Sequence, residues 1–273
     1  MISVNTNKGA MVALQTLNRT NDQMDKTQNA IATGLKVASA KDNGALFAIA
    51  NKKRSDVGAY DRVRESADRA ASILDTGIAA GESIMELLNE MKGKALAGSQ
   101  AGNSTSAQAA LAADFVQLRD QIASVIANAS FDGANMINAT PSAAVSLGDA
   151  AGGNTITIAG ANLSTGSTII TTIASVLTDA TTSAAALTAT NNSITALGTQ
   201  LATWGAGAKR LDVHKTFVGK LQDALNNGIG SIVDADLAKE SAKLQALQVK
   251  QQLGVQALSI ANSSSQTALS LFR

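Results

Sequence analysis

Residues Asp234–Arg273 read DADLAKESAKLQALQVKQQLGVQALSIANSSSQTALSLFR. Leu244, Leu247, Val255, Leu258, Ala261, Leu269 and Phe272 recur at steps of three and four, with Gln251 and Ser265 as polar exceptions. The repeat is about 3.5 residues, the period that keeps an apolar stripe facing one partner helix in a coiled coil. Leu253, Ala257 and Ile260 form a second line on another face. A helix that is apolar on more than one face needs cover from several sides, whereas chain ends ordinarily fray in solvent. The stretch predicts a helix that requires partners.

A matching stripe lies near the other end of the chain. Between Met11 and Leu35, the residues Leu14, Leu17, Met24, Ile31 and Leu35 repeat in the same way, with Asn21 and Gln28 in the intervening slots. Buried amides in such a seam fix register at some cost in stability. The two terminal helices are therefore expected to pair. Next to them, GLKVASAKDNG (Gly34–Gly44) breaks the first helix, and Asp234 or Asp236 is placed to cap the last.

Between these ends the same spacing predicts long helices. One runs from about Ala45 to Leu96, and at 1.5 Å per residue it would measure roughly 75 Å, which implies a rod. Another runs from Ala107 to about Ala129, followed by a turn at Phe131-Asp132-Gly133. The composition then changes. From Thr140 to Thr195 the chain is rich in Ser and Thr, and no Lys or Arg occurs between Arg119 and Lys209. Thr155–Ile158 and Thr168–Ile170 have β-type patterning, which predicts a hairpin, with a short helix around Ile173–Leu177. The helical period resumes at Ile194 and reaches Ile232, with Lys215 a misfit and Asn226–Gly230 a loosening stretch.

Composition narrows the function. Aromatic residues make up 3% of the 273, which favours thin, closely packed helices over a thick core. The net charge of +1 provides no steering field towards nucleic acid or anionic lipid. There is no Cys and one His, His214, so thiolate chemistry and multi-histidine metal sites are excluded. Gly205–Lys209 lacks phosphate-loop spacing, and Lys52-Lys53-Arg54 lacks interleaved aromatics. The N-terminal sequence has no signal-peptide pattern, and no apolar run is long enough to span a membrane. No catalytic, cofactor-binding or metal-ligating residues are expected, and no enzyme activity.

The order of these elements, together with four motifs, resembles bacterial flagellin. The motifs are VNTN (Val4–Asn7) with ATGLKVASAKDNGALFAIA (Ala32–Ala50), FDGANMIN (Phe131–Asn138), SIVDADLAKE (Ser231–Glu240) and QALSIANSSSQTALSLFR (Gln256–Arg273). KDNGA and the LSLFR ending are similar to alphaproteobacterial, Caulobacter-type flagellins. The resemblance implies a mainly α subunit: a long antiparallel helical rod with coiled-coil termini and a small β-hairpin insertion. Residues 1–35 and 239–273 would form the terminal inner-tube coiled coil, 36–46 and 234–238 connectors, and 47–233 the rod, with 140–193 a variable Ser/Thr-rich insertion.

It further implies a structural subunit that polymerises into the extracellular flagellar filament used for motility. Its partners would be copies of itself, other flagellins in mixed filaments, the flagellar type III export apparatus and a secretion chaperone, with no nucleic acid and no membrane insertion. Export would proceed without a cleaved signal peptide. The subunit-packing seam is expected at Leu14, Leu17, Met24, Ile31, Leu35, Leu244, Leu247, Leu258, Leu269 and Phe272. A hook–filament junction protein and a surface adhesin on a coiled-coil stalk are the alternatives. Many flagellins carry an Arg-rich stretch that an animal innate immune receptor recognises. The matching residues Leu88–Lys94 have Glu90 in place of an Arg, so weak recognition is expected.

Overall fold

A computed structural model of the protein describes residues 7–171 and 177–270, with side chains described as far as 263 in the last helix. Among the described residues there are five helices and one two-stranded sheet: α1 (Lys8–Thr33), α2 (Gly44–Gly98), α3 (Thr105–Asn128), β1 (Ala144–Leu147), β2 (Thr155–Ile158), α4 (Ala180–Val233) and α5 (Leu237–Ser270). They divide into two compact units, one of residues 1–55 and 223–273 and one of residues 56–222.

In the first unit α1 and α5 run antiparallel. Asn7 Nδ2 donates to Ala261 O, Asn21 Oδ1 accepts from Gln251 Nε2, and Ala235 N donates to Gly34 O, so partners advance in opposite directions. Local chemistry sets the ends. Asn7 Oδ1 accepts from Ala10 N as the cap of α1, and Gly34 closes that helix at φ 71°, in the left-handed region. Asp236 Oδ1 accepts from Ala238 N and Lys239 N and caps α5. Between α1 and α2, Asp42 Oδ2 accepts from Ala38 N, Ser39 N and the Ser39 hydroxyl. The backbone bond from Ser39 is the main reason its carboxyl is held below the ordinary value. Asn43 Oδ1 accepts from Leu46 N and starts α2.

In the second unit α2 and α4 form a long antiparallel pair. Asp61 Oδ1 accepts from Gln222 Nε2, Lys215 pairs with Asp68, Gly81 faces Leu201 and Trp204, and Gly98 faces Ser183. The register is constant along the pair, so residues 213–217 lie opposite about 66–70 of α2. Lys215, the misfit in the sequence pattern, is thus an ion-paired side chain in that register. Trp204 is fully buried and its Nε1 donates to Ala159 O. It joins Phe115 and Ile122 of α3, Leu74, Ile84, Leu88 and Met91 of α2, and Ile156 and Ile158 of β2 in a single core.

Three expectations change. The partner of Thr155–Ile158 is Ala144–Leu147, with Ala144 opposite Ile158, and Thr168–Ile170 forms no strand. Helix α4 begins at Ala180 rather than Ile194 and continues through Asn226–Gly230 to Val233. Its Ser/Thr-rich start is helical because Ser183, Ala186, Thr190, Ser193 and Leu197 are all buried at steps of three and four. The Thr190 and Ser193 hydroxyls donate to carbonyls four residues back, which satisfies them without leaving the helix. The short helix expected at Ile173–Leu177 lies, except for Leu177, outside the described residues.

The FDGANMIN motif follows a clear local logic. Asp132 and Gly133 both have positive φ, 49° and 76°, and Phe131 and Ala134 exchange two backbone hydrogen bonds of 2.9 Å around them. That is a two-residue turn of the kind Asp-Gly favours. Asn135 is buried behind it, donating to Ile126 O and accepting from Ile137 N and Asn138 N, which ties the turn to the end of α3.

Candidate assembly surface

The terminal stripes expected from the sequence meet in the α1/α5 pair, in a shifted register. Leu17, Met24, Ile31, Leu35, Leu244 and Leu258 are half-buried and Leu247 is buried, but Leu14 is 48% exposed. The face shared by the helices passes through Ala13, Leu17, Thr20, Met24, Thr27 and Ile31 on one side and Leu244, Leu247, Gln251, Gly254 and Leu258 on the other. Gly254 rather than Val255 holds the inward slot, where an added Cβ would lie 3.2 Å from Leu17 Cδ1, and Val255 faces out. Thr20 and Thr27 take the slots where a shift of one residue would have placed Asn21 and Gln28, and Gln28 is exposed. The side chain of Leu269, and Phe272, lie outside the described residues.

The interior of this pair is polar for a helix seam. Thr20 Oγ1 donates back to Thr16 O, Asn21 and Gln251 share a 2.9 Å bond, and the buried Thr27 Oγ1 has no hydrogen-bond partner. The outside carries large apolar side chains among its polar ones. Met11, Val12, Leu253, Val255 and Ile260 are more than half exposed, with Ile260 at 69%. Burying apolar area yields about 25 cal/mol per Å², and this pair leaves much of its own in water. Large exposed apolar surface on a soluble chain marks an interaction site.

Among the described residues no group of three or more His, Cys, Asp or Glu could hold a metal ion, and no helix is long and apolar enough to cross a membrane. His214 lies half-buried on α4 with its ring centroid 6.5 Å from that of Phe217. Within the stretch Leu88–Lys94, Leu88 and Met91 are core residues, Asn89, Glu90 and Lys92 are exposed, and Lys94 Nζ pairs with Asp114 at 2.5 Å.

Comparison with known proteins identifies the family. Residues 4–142 match the family model of the bacterial flagellin N-terminal helical region, and residues 187–272 that of the C-terminal helical region. The chain belongs to the bacterial flagellin family. It is 47% identical to flagellin FljK of Caulobacter vibrioides over 99% of this chain and 98% of that protein. It is 38% identical to a flagellin of Brucella melitensis over the full length of both. Its fold is similar to that in the crystal structure of Bacillus cereus flagellin, with a TM-score of 0.50 and 25% identity over 56% of this chain and 88% of that one. Flagellin is a structural family, and this flagellin is a filament subunit that self-assembles into the extracellular flagellar filament.

Proposed function

We propose that the α1/α5 pair is the element through which this flagellin polymerises. The supporting observation is the apolar surplus of the pair: beyond the shared face of Leu17, Met24, Ile31, Leu244, Leu247 and Leu258, the side chains of Leu253, Val255 and Ile260 face solvent. In a filament, copies from neighbouring subunits cover the outer faces, and the hydrophobic gain that the lone pair forgoes is collected on assembly. The subunit division follows the family plan, with 1–35 and 239–273 in the inner tube, 36–46 and 234–238 as connectors, and 47–233 as the rod carrying the variable segment 140–193. Within the inner tube the packing seam draws on Leu14, Leu17, Met24, Ile31, Leu35, Leu244, Leu247, Leu258, Leu269 and Phe272. Export unfolded through the flagellar type III apparatus, with a secretion chaperone and no cleaved signal peptide, is the route that family membership supports.

The test is seeded elongation of purified monomer, followed by sedimentation and electron microscopy. The unsubstituted chain should extend seeds into long filaments. Leu253→Lys with Ile260→Lys should leave the monomer's thermal unfolding unchanged, within about 0.5 kcal/mol as for exposed sites, and abolish elongation. Elongation at the original rate would overturn the assignment.

A further inference from the structure

The second unit carries two exposed features of opposite charge that its own fold does not bring together. On α4, Lys209, Val213, Phe217 and Lys220 follow one another at steps of four, four and three, so they share one face, and Arg210 flanks them. All five are exposed, Phe217 at 58%. Among the described residues Lys209, Arg210 and Lys220 make no ion pair. The result is an apolar knob, Val213 and Phe217, rimmed by three cations. Asp212 lies off this face, and Lys215 is committed to Asp68.

On α2, Asp75, Ala79, Glu82, Glu86 and Glu90 also share one exposed face. No Lys or Arg occurs between Arg69 and Lys92, and among the described residues these four carboxylates make no ion pair. Beside this stripe, between α2 and α3, runs a shallow apolar groove of about 360 Å³ lined by Thr76, Ala80, Val125, Ala129 and their polar neighbours Gln121 and Ser124. A groove of that volume admits a phenyl side chain.

The knob cannot reach the groove of its own chain. In the constant register of α2 and α4, Val213–Phe217 lie opposite residues 66–70, whereas the groove begins at Thr76 and Ala80. The centres are about ten residues apart along the helices, roughly 15 Å, and the knob faces outward.

We propose that the Val213–Phe217 knob of one subunit seats in the α2/α3 groove of another copy, with Lys209, Arg210 and Lys220 facing Asp75, Glu82, Glu86 and Glu90. The occupant is a second copy because both halves, matched in charge and in apolar content, are present on every chain. Two different patches make the contact heterologous, the type that can repeat from copy to copy without closing, as an open polymer requires. The apolar pair provides burial and the charges provide register. This rests on the self-assembly proposed above.

The absence of native Cys makes the test direct. Full-length chain carrying Phe217→Cys and Ala80→Cys is polymerised on seeds, oxidised and run under denaturing, non-reducing conditions. A ladder of dimers, trimers and higher species is expected, absent from either single variant and from oxidised monomer. Filaments that yield only monomer after oxidation would overturn the contact while leaving self-assembly standing, whereas an unsubstituted chain that forms no filaments removes the reading beneath it. In parallel, Lys209→Glu with Arg210→Glu and Lys220→Glu should raise the critical concentration about tenfold or more at low salt. Adding Glu82→Lys, Glu86→Lys and Glu90→Lys to the same chain should restore it. Reversal without effect, or without restoration in a chain of unchanged helicity, would also overturn the contact.

Discussion

The two units differ in how much apolar surface they bury within the chain. Residues 56–222 keep the large side chains inside: Trp204, Phe115, Met91 and Ile137 are almost fully buried. The α1/α5 pair holds Thr20, Thr27, Asn21 and Gln251 at its centre and turns Met11, Leu253 and Ile260 outward. One unit builds its main hydrophobic core within a single chain and leaves Val213 and Phe217 exposed. The other leaves Met11, Leu253, Val255 and Ile260 in solvent, and in the proposed assembly neighbours cover them and order the pair.

The largest effect that could break this contrast concerns Trp204. Trp204→Ala should cost about 3–5 kcal/mol in thermal unfolding of the monomer, because it empties the core and strips Ala159 O of its donor. A loss below 1 kcal/mol would mean the second unit is not the self-sufficient one. Next comes amide exchange. Amides of Leu17 and Leu258 should exchange orders of magnitude faster in monomer than in filament, while those around Leu88 stay protected in both. Strong protection at Leu17 and Leu258 in verified monomer would erase the difference.

A smaller effect sharpens the comparison. Replacing Asn21 and Gln251 together by Leu should stabilise the isolated pair by about 1 kcal/mol and raise monomer helicity by circular dichroism, whereas Asn21→Ala alone should lower it. The smallest is acid sensitivity at the α1–α2 turn. The Asp42 carboxyl, held down chiefly by the Ser39 backbone bond, has a folded pKa below that of an ordinary aspartate. Its contribution is therefore fully present above the ordinary value and lost as pH falls through the folded pKa. Backbone shifts of Ser39 should move only below about pH 4 in the intact chain, and Asp42→Asn should abolish that transition.

Particular residues show how much could be read beforehand. The helical periods of α1, α2, α3 and α5 were legible because bulky apolar residues repeat at three and four, and the cap at Asp236 and the Asp132-Gly133 turn follow from side-chain chemistry alone. The stripe was legible in period, and Leu17, Met24, Ile31, Leu244, Leu247 and Leu258 lie on the shared face, but at Leu14 and Val255 the inward slot falls one residue earlier. A sequence reading favours the largest side chain, so Leu14 and Val255 stood out. Where two helices approach closely, the inward slots take Ala13 and Gly254 instead. The polar start of α4 was missed because Ser183, Thr190 and Ser193 score as loop formers, yet hydroxyls bonded to their own helix can be buried.

By itself, then, the sequence determined the long helices, the pairing of the two ends and the family, since these depend on local periodicity and on motifs whose residues are close together. Only the tertiary structure decided which strand pairs with Thr155–Ile158. The chain must pass Gly160 against Met136 O, where a Cβ would come within 2.7 Å, and set Ile158 over Gly207 to roof Trp204. It also decided that the apolar faces of the terminal pair look outward. Which side of a helix is buried depends on what stands next to it, and the terminal stripes contained more apolar faces than one partner helix could cover.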